Sequence, residues 1–200
     1  MTKGLFVAFE GIDGSGKSTQ CKKLYDFCVS ENIEAVHLIE PSTGPVGKKI
    51  RTILSGNEIP PVEEQLQLFL DDRADDVNKN INPALDDGKI ILMDRYCFSN
   101  AAYQGAMGLS WQKILDENRI RKFPFPHHVF FIDITVKTAL ERITLRNGTE
   151  RDIFEKQSTL ESIYNNYHAM KDDSFSVIDG SPDEETVFQR VKNEFLEFIS

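Results

Sequence analysis

The chain has only three cysteines, at positions 21, 28 and 97. That is too few, at the wrong spacings, for a disulfide scaffold or a Cys/His metal cage. Cys21 and Cys28 fall seven residues apart on one predicted helix, as two small core residues on one face. A reducing, cytoplasmic setting is expected. Long apolar runs are missing too: the opening one is about seven residues, against the roughly 20 needed to cross a bilayer, and no secretory or lipidation signal is visible. No membrane partner is expected. Positive charge is scarce, 23 Lys and Arg against 32 Asp and Glu for a net charge of −9, which argues against a nucleic-acid groove as the main surface. Nucleotides remain open, because a phosphate site needs only local dipoles and a few cations. No repeat, low-complexity tract or linker interrupts the 200 residues, and 40% hydrophobic content suits one domain with a sizeable core.

Against these absences stands one strong motif. Gly11-Ile12-Asp13-Gly14-Ser15-Gly16-Lys17-Ser18 fits G-x-x-x-x-G-K-[ST] directly after the apolar run Leu5–Phe9. Strand, glycine-rich turn and helix are the context in which backbone N–H groups can surround phosphate oxygens. Gly11, Gly14, Ser15 and Gly16 would form that cradle, with Thr19 in the first helical turn. Lys17 would reach the β- and γ-phosphates, and the Ser18 hydroxyl would ligate Mg²⁺. The following helix aims its positive end at the same anion. A nucleoside triphosphate is the expected ligand.

Five short apolar runs, near residues 5–9, 33–39, 89–93, 127–135 and 175–178, alternate with helical patterns. An α/β fold results: a P-loop type five-stranded parallel sheet with helices on both faces and a small lid at about 141–153. The longest helical pattern, 63–85, should kink or restart at Pro83. The last helix is predicted to start with Ser181 as N-cap, Pro182 at its first position and Glu184 completing a capping box. Its stripe Val187, Val191, Phe195 and Ile199 should face the core. In such sheets ligands bind beyond the carboxyl ends of the strands, and Asp13, Glu40 and Asp94-Arg95 all follow strands.

A P-loop alone is compatible with kinases, switches and ATP-driven machines. The Asn-Lys-x-Asp base-reading motif of a GTPase is absent. The strand Ile90–Met93 ends in Asp94-Arg95, where Asp94 could hold Mg²⁺ and Arg95 a second anion, although this dipeptide alone also reads as a surface ion pair.

The segment Asp94-Arg95-Tyr96-Cys97-Phe98-Ser99-Asn100-Ala101-Ala102-Tyr103-Gln104 resembles the signature of thymidylate kinases. So does the loop from Phe9 to Gln20, and so does Leu68-Phe69-Leu70-Asp71-Asp72-Arg73. Glu40-Pro41, Pro83-Ala84-Leu85 with Gly88, and Ile178-Asp179 are similar to further landmarks of that family, in family order.

The resemblance implies transfer of the ATP γ-phosphoryl group to dTMP with Mg²⁺, in a cytoplasmic homodimer. It implies that Phe69 stacks on thymine, that Arg73 bonds the base edge, and that Arg95 grips the acceptor phosphate. Asp13 would lie near the 3′-hydroxyl and reacting phosphate, and Asn100, Tyr103 and Gln104 would line the nucleoside pocket. The lid would bring Arg142, Arg146 and Arg151 to the donor phosphates. Because Asp13-Gly14-Ser15-Gly16 carries no arginine, the transition-state cation is expected from Arg146 or Arg151 ahead of Arg142, although all three also read as a solvated basic face. Two departures stand out. Ile39 replaces the arginine that often precedes the Glu-Pro pair, which leaves Arg51 to compensate, and Asp71-Asp72 makes the Phe69 helix more acidic. The alternatives are a related kinase for dUMP or a broader range of pyrimidine monophosphates, and a nucleotide-binding switch without transfer.

Overall fold

The computed structural model describes residues 4–56, 60–147 and 153–200, with the side chains of 147 and 153–156 set aside. Five strands form one parallel sheet in the order β2-β3-β1-β4-β5: β1 Leu5–Glu10, β2 Ala35–Ile39, β3 Ile90–Asp94, β4 His128–Asp133 and β5 Phe175–Asp179. The central strand β1 pairs with β3 through Phe9↔Asp94 and with β4 through Glu10↔Phe131, so all strand ends open toward one side. That is where an open parallel sheet binds its ligands.

Alternation along the buried strands divides the core into two layers. Phe6, Ala8, Ile91, Met93, Val129 and Phe131 face one layer, and Val7, Phe9, Leu92, Phe130 and Ile132 the other. Near-continuous apolar strands are what a sheet covered on both faces requires. The second layer is closed by α1 (Lys17–Ser30) and α9 (Glu184–Ile199), through Cys21, Leu24, Cys28, Val187, Val191 and Phe195. Cys21, Cys28 and Cys97 are buried free thiols. The first layer is covered by α3 (Val62–Asp76), α4 (Asn82–Asp86), α5 (Cys97–Ala106), α6 (Trp111–Ile120), α7 (Val136–Asn147) and α8 (Ile153–Met170). Helix α2 (Pro45–Ser55) follows β2 and contacts α3.

The 63–85 pattern restarts at Pro83, and one local reading changes. Its ladder widens into a π-helical turn, Val77–Ile81, and Pro83 falls in the first turn of α4. There its missing N–H costs little. The N-cap of α9 is Asp183 rather than Ser181, its carboxylate accepting from Thr186 N at 3.0 Å. Ser181 instead donates its backbone N–H to Asp179, and Pro182 stays in the loop. A carboxylate at this helix start also favours the dipole.

Candidate active site

The loop between β1 and α1 turns through positive φ at Gly14 (83°) and Gly16 (96°). At Gly14 the backbone also leaves no room: a Cβ would sit 2.9 Å from the Ala139 carbonyl oxygen of α7. Helix α7 occupies the space into which a side chain at position 14 would project. The loop's lack of an arginine therefore has a packing counterpart.

Lys17 is buried, with its Nζ 3.8 Å from the Asp13 carboxylate and 3.5 Å from the Ile12 carbonyl. Burial, then the neighbouring Arg95 charge, pushes its ammonium down to about 8, against the opposing pull of Asp13, Asp94 and Glu10. A cation so poorly compensated is a receptor for phosphate. The cavity around it, about 360 Å³, is lined by Asp13, Gly14, Gly16, Lys17, Ser18, Thr19, Arg95, Arg142, Ile143 and Arg146. A neighbouring cavity of about 320 Å³ includes Ser15, Thr19, Gln20, Arg142, Gly180, Pro182 and Asp183. Arg142 sits between the two. Its guanidinium donates to the Gly14 carbonyl at 3.3 Å and to the Gly180 carbonyl at 3.0 Å, tying the phosphate loop to the β5–α9 connection.

Oxygen donors for a hard cation are present. Asp94 ends β3 buried, and its Oδ1 has no hydrogen-bond partner; Ser18 is exposed on the first turn of α1 and lines the donor cavity. Among the described residues no group of three metal-ligating side chains occurs. This donor set suits Mg²⁺, which takes one or two protein oxygens and completes its shell with water and phosphate.

Arg95 adopts a positive φ of 67°, a conformation that costs a non-glycine residue about 1–3 kcal/mol. Glu10, at the end of β1, holds this turn. Its Oε1 accepts from the backbone N–H of Tyr96 (2.8 Å) and of Ser99 (3.2 Å). Its Oε2 accepts from the hydroxyls of Ser99 (2.6 Å) and Tyr167 (2.9 Å). A buried carboxylate thus caps α5 from outside the helix. Burial pushes its pKa up, against the hydrogen bonds from the Ser99 hydroxyl, the Tyr96 N–H and the Tyr167 hydroxyl and the charge of Arg95. The turn sends the Arg95 guanidinium across to the Asp13 carboxylate and places it 5.1 Å from the centre of the Tyr103 ring. Asp13 is held below the usual carboxylate range: burial raises it, but the charges of Arg95 and Lys17 prevail.

A third cavity, about 230 Å³, opens from Asp13 and Arg95 between α3 and α5. Phe69 and Gln65 line it from α3, Ser99, Asn100, Tyr103 and Gln104 from α5, and Glu40, Pro41 and Leu54 from the side of β2 and α2. Arg73 is not on its wall. It is fully buried behind it, donating to both carboxylate oxygens of Glu40, to Asn118 Oδ1 at 2.7 Å and to Asn100 Oδ1 at 2.6 Å. Its guanidinium lies 4.6 Å from the centre of the Tyr96 ring. These contacts use four of its five N–H donors and leave one on Nη1. Burial pushes the Glu40 carboxyl up while Arg73 pulls it down, and Glu40 holds Arg73 firmly charged.

The acidic pair on α3 divides in function. Asp72 is buried and accepts from the Ser42 N–H and hydroxyl, both at 2.6 Å, so it anchors the loop after β2. Asp71 is exposed and accepts from Gln67 at 2.6 Å. Arg51 donates to the carbonyls of Ser42, at 2.6 Å, and Pro41, buttressing the same loop. Arg146 lies exposed at the donor cavity, while Arg151 falls outside the described residues.

A family model for thymidylate kinase matches residues 9–191 of the chain. The chain belongs to the thymidylate kinase family. Curated relatives include a thymidylate kinase of Desulfotalea psychrophila, 42% identical over 80% of this chain and 78% of that protein. Another, from Leptospira interrogans, is 40% identical over 97% and 95% of the two chains. A probable thymidylate kinase of Thermococcus kodakarensis is 37% identical over 94% and 95%.

For this family member, three residues that build the site were not legible in the sequence: Glu10, Gln65 and Asn118. Glu10 could have been found, since a charged residue ending an otherwise apolar strand needs a partner. Glu40 was expected on the ligand side because it follows a strand, but its pairing with Arg73 was not. Asn118 carries no local signal because it acts on Arg73, 45 residues away, and Gln65 reads as one more polar position on a helix.

Proposed function

We propose that this chain transfers the γ-phosphoryl group of ATP to dTMP, giving dTDP and ADP. The observation that carries the reading is that the donor and acceptor cavities share Asp13 and Arg95. A donor bound on the phosphate loop and an acceptor between α3 and α5 meet at that pair, as in-line transfer requires.

ATP would lie with its phosphates in the Gly11–Thr19 loop and its base in the cavity beside Arg142, Gly180 and Pro182. Lys17 would neutralise charge on the β- and γ-phosphates. Ser18 and Asp94 would hold Mg²⁺, which would supply positive charge against the phosphates. On the acceptor side, Phe69 would stack on thymine, Asn100 and Gln104 would face its edge, and Tyr103 would lie against the sugar. Arg73 would act from behind the wall, orienting Asn100 and Glu40. Arg95 would leave Asp13 for the acceptor phosphate, freeing the Asp13 carboxylate for the 3′-hydroxyl and the attacking end. Arg146 would bring positive charge to the transferring group, a role shared with Arg151, which lies outside the described residues. Catalysis then rests on positioning and fixed charge.

The enzyme is read as a cytoplasmic homodimer; among the described residues no helix is long and apolar enough to cross a membrane. Light scattering of the purified chain tests the dimer. ADP release measured across nucleoside monophosphates tests the activity: dTMP is expected to give the highest kcat/KM. ATP turnover that no monophosphate stimulates would overturn the reading.

A further inference from the structure

We propose that Tyr167 of α8 is a positioning residue for phosphoryl transfer: its hydroxyl, relayed through Glu10 and Ser99, sets the Arg95 guanidinium to receive the acceptor phosphate. The role rests on the reading of Arg95 given above. Tyr167 is fully buried and lines none of the three cavities. Its ring packs on Phe131 of β4, with centroids 5.3 Å apart, a contact that phenylalanine would make equally well. What phenylalanine lacks is the hydroxyl, which stands 2.9 Å from both Glu10 Oε2 and Ser99 Oγ.

The direction of each bond follows from the donors available. Ser99 Oγ lies 2.6 Å from Glu10 Oε2 and has one proton, which it gives to that carboxylate. The Tyr167 hydroxyl therefore acts as donor to the same pair of oxygens. Ser99 Oγ keeps a lone pair for Arg95, whose Nη1 donates to it at 3.3 Å. The guanidinium is thus held by two different kinds of partner. Nη1 faces a buried hydroxyl that belongs to the fold, while Nη2 faces Asp13, whose place the acceptor phosphate takes. Beside Tyr167, Asn166 Nδ2 donates to the Ala102 carbonyl at 3.0 Å and fixes α8 against α5 at the level of these bonds. Without the tyrosine hydroxyl, the Glu10 and Ser99 oxygens lose a buried donor, and the Ser99 hydroxyl is free to turn from Arg95. Helix α8 in this way steadies the phosphate end of the acceptor cavity without touching substrate.

The test separates the phosphate from the rest of the acceptor. Affinities for dTMP and for thymidine are measured by calorimetry for the parent chain, Tyr167→Phe and Ser99→Ala. Their ratio reports what the phosphate contributes through Arg95. In Tyr167→Phe the ratio is expected to shrink about tenfold, the size of one net hydrogen bond to a charged group, with thymidine affinity unchanged. The kcat should fall with it, and Ser99→Ala should shrink the ratio at least as much. An unchanged ratio in Tyr167→Phe overturns the assignment, and so does an equal loss for dTMP and thymidine, which marks a merely structural role. Should Tyr167→Phe fail to fold, Ser99→Ala decides, because an unchanged ratio there breaks the relay. A parent chain that binds dTMP no more tightly than thymidine overturns the reading of Arg95 itself, and is distinguished by needing no variant.

Discussion

Arg95 of the β3–α5 turn forms an ion pair with Asp13 of the phosphate loop, and this pair borders both cavities. Each charge therefore has a partner before any phosphate arrives, and ligand binding exchanges that partner for substrate. Arg95→Ala is expected to lower kcat by about 10²–10³, the usual loss for a preorganised charge-stabilising group. The Kd for ATP, measured by equilibrium titration, should change little. Near-normal turnover would remove Arg95 from the chemistry.

Glu10 controls the same arginine from behind. Truncation of Glu10 to alanine leaves the Tyr96 N–H buried and unpaired, while the Ser99 N–H keeps the Tyr96 carbonyl at 3.0 Å, at an expected cost of about 1–3 kcal/mol. Denaturant unfolding should report that loss. The kcat of the folded variant should also fall, because the positive φ of Arg95 is no longer enforced.

Phe69 forms a wall of the acceptor cavity and is only partly buried, so its face is available for stacking. Phe69→Ala should raise the KM for dTMP about tenfold, in line with roughly 1–3 kcal/mol per stacked base. The KM for ATP is the control, and an equal rise in both would count against stacking.

Lys17 gives the site a pH dependence. In the free folded chain it loses its proton near pH 8, whereas an exposed lysine keeps it to about 10.5. Between these values the unfolded chain binds more protons, so this residue's contribution makes folding stability rise with pH. ATP binding runs the other way. The kcat/KM for ATP should decline as pH rises through about 8, while kcat declines later, because bound phosphate holds the proton on Lys17. A flat kcat/KM profile from pH 7 to about 9.5 would exclude a neutralising role for Lys17.

The strands and the phosphate loop were legible because periodicity and the G-x-x-x-x-G-K-S spacing are local. Phe69, Tyr103 and Gln104 could be placed by their resemblance to a family signature. What stayed hidden depends on distant pairing. Nothing near Arg73 announces that Glu40, 33 residues away, and Asn118, 45 residues away, will enclose it. Asp72 read as surface acidity until the Ser42 N–H and hydroxyl, 30 residues away, proved to be its partners. The Ser181 capping box failed for a related reason: Asp183 offers a stronger acceptor two residues later, and the shorter helix leaves Pro182 free to line the donor cavity.

Phosphorus NMR of the purified chain with ATP, Mg²⁺ and dTMP tests phosphoryl transfer between the two cavities most directly. The account predicts that the γ-phosphate resonance of ATP disappears as the β-phosphate resonance of dTDP grows in equal amount. Release of inorganic phosphate from ATP, with dTMP unchanged, would contradict it.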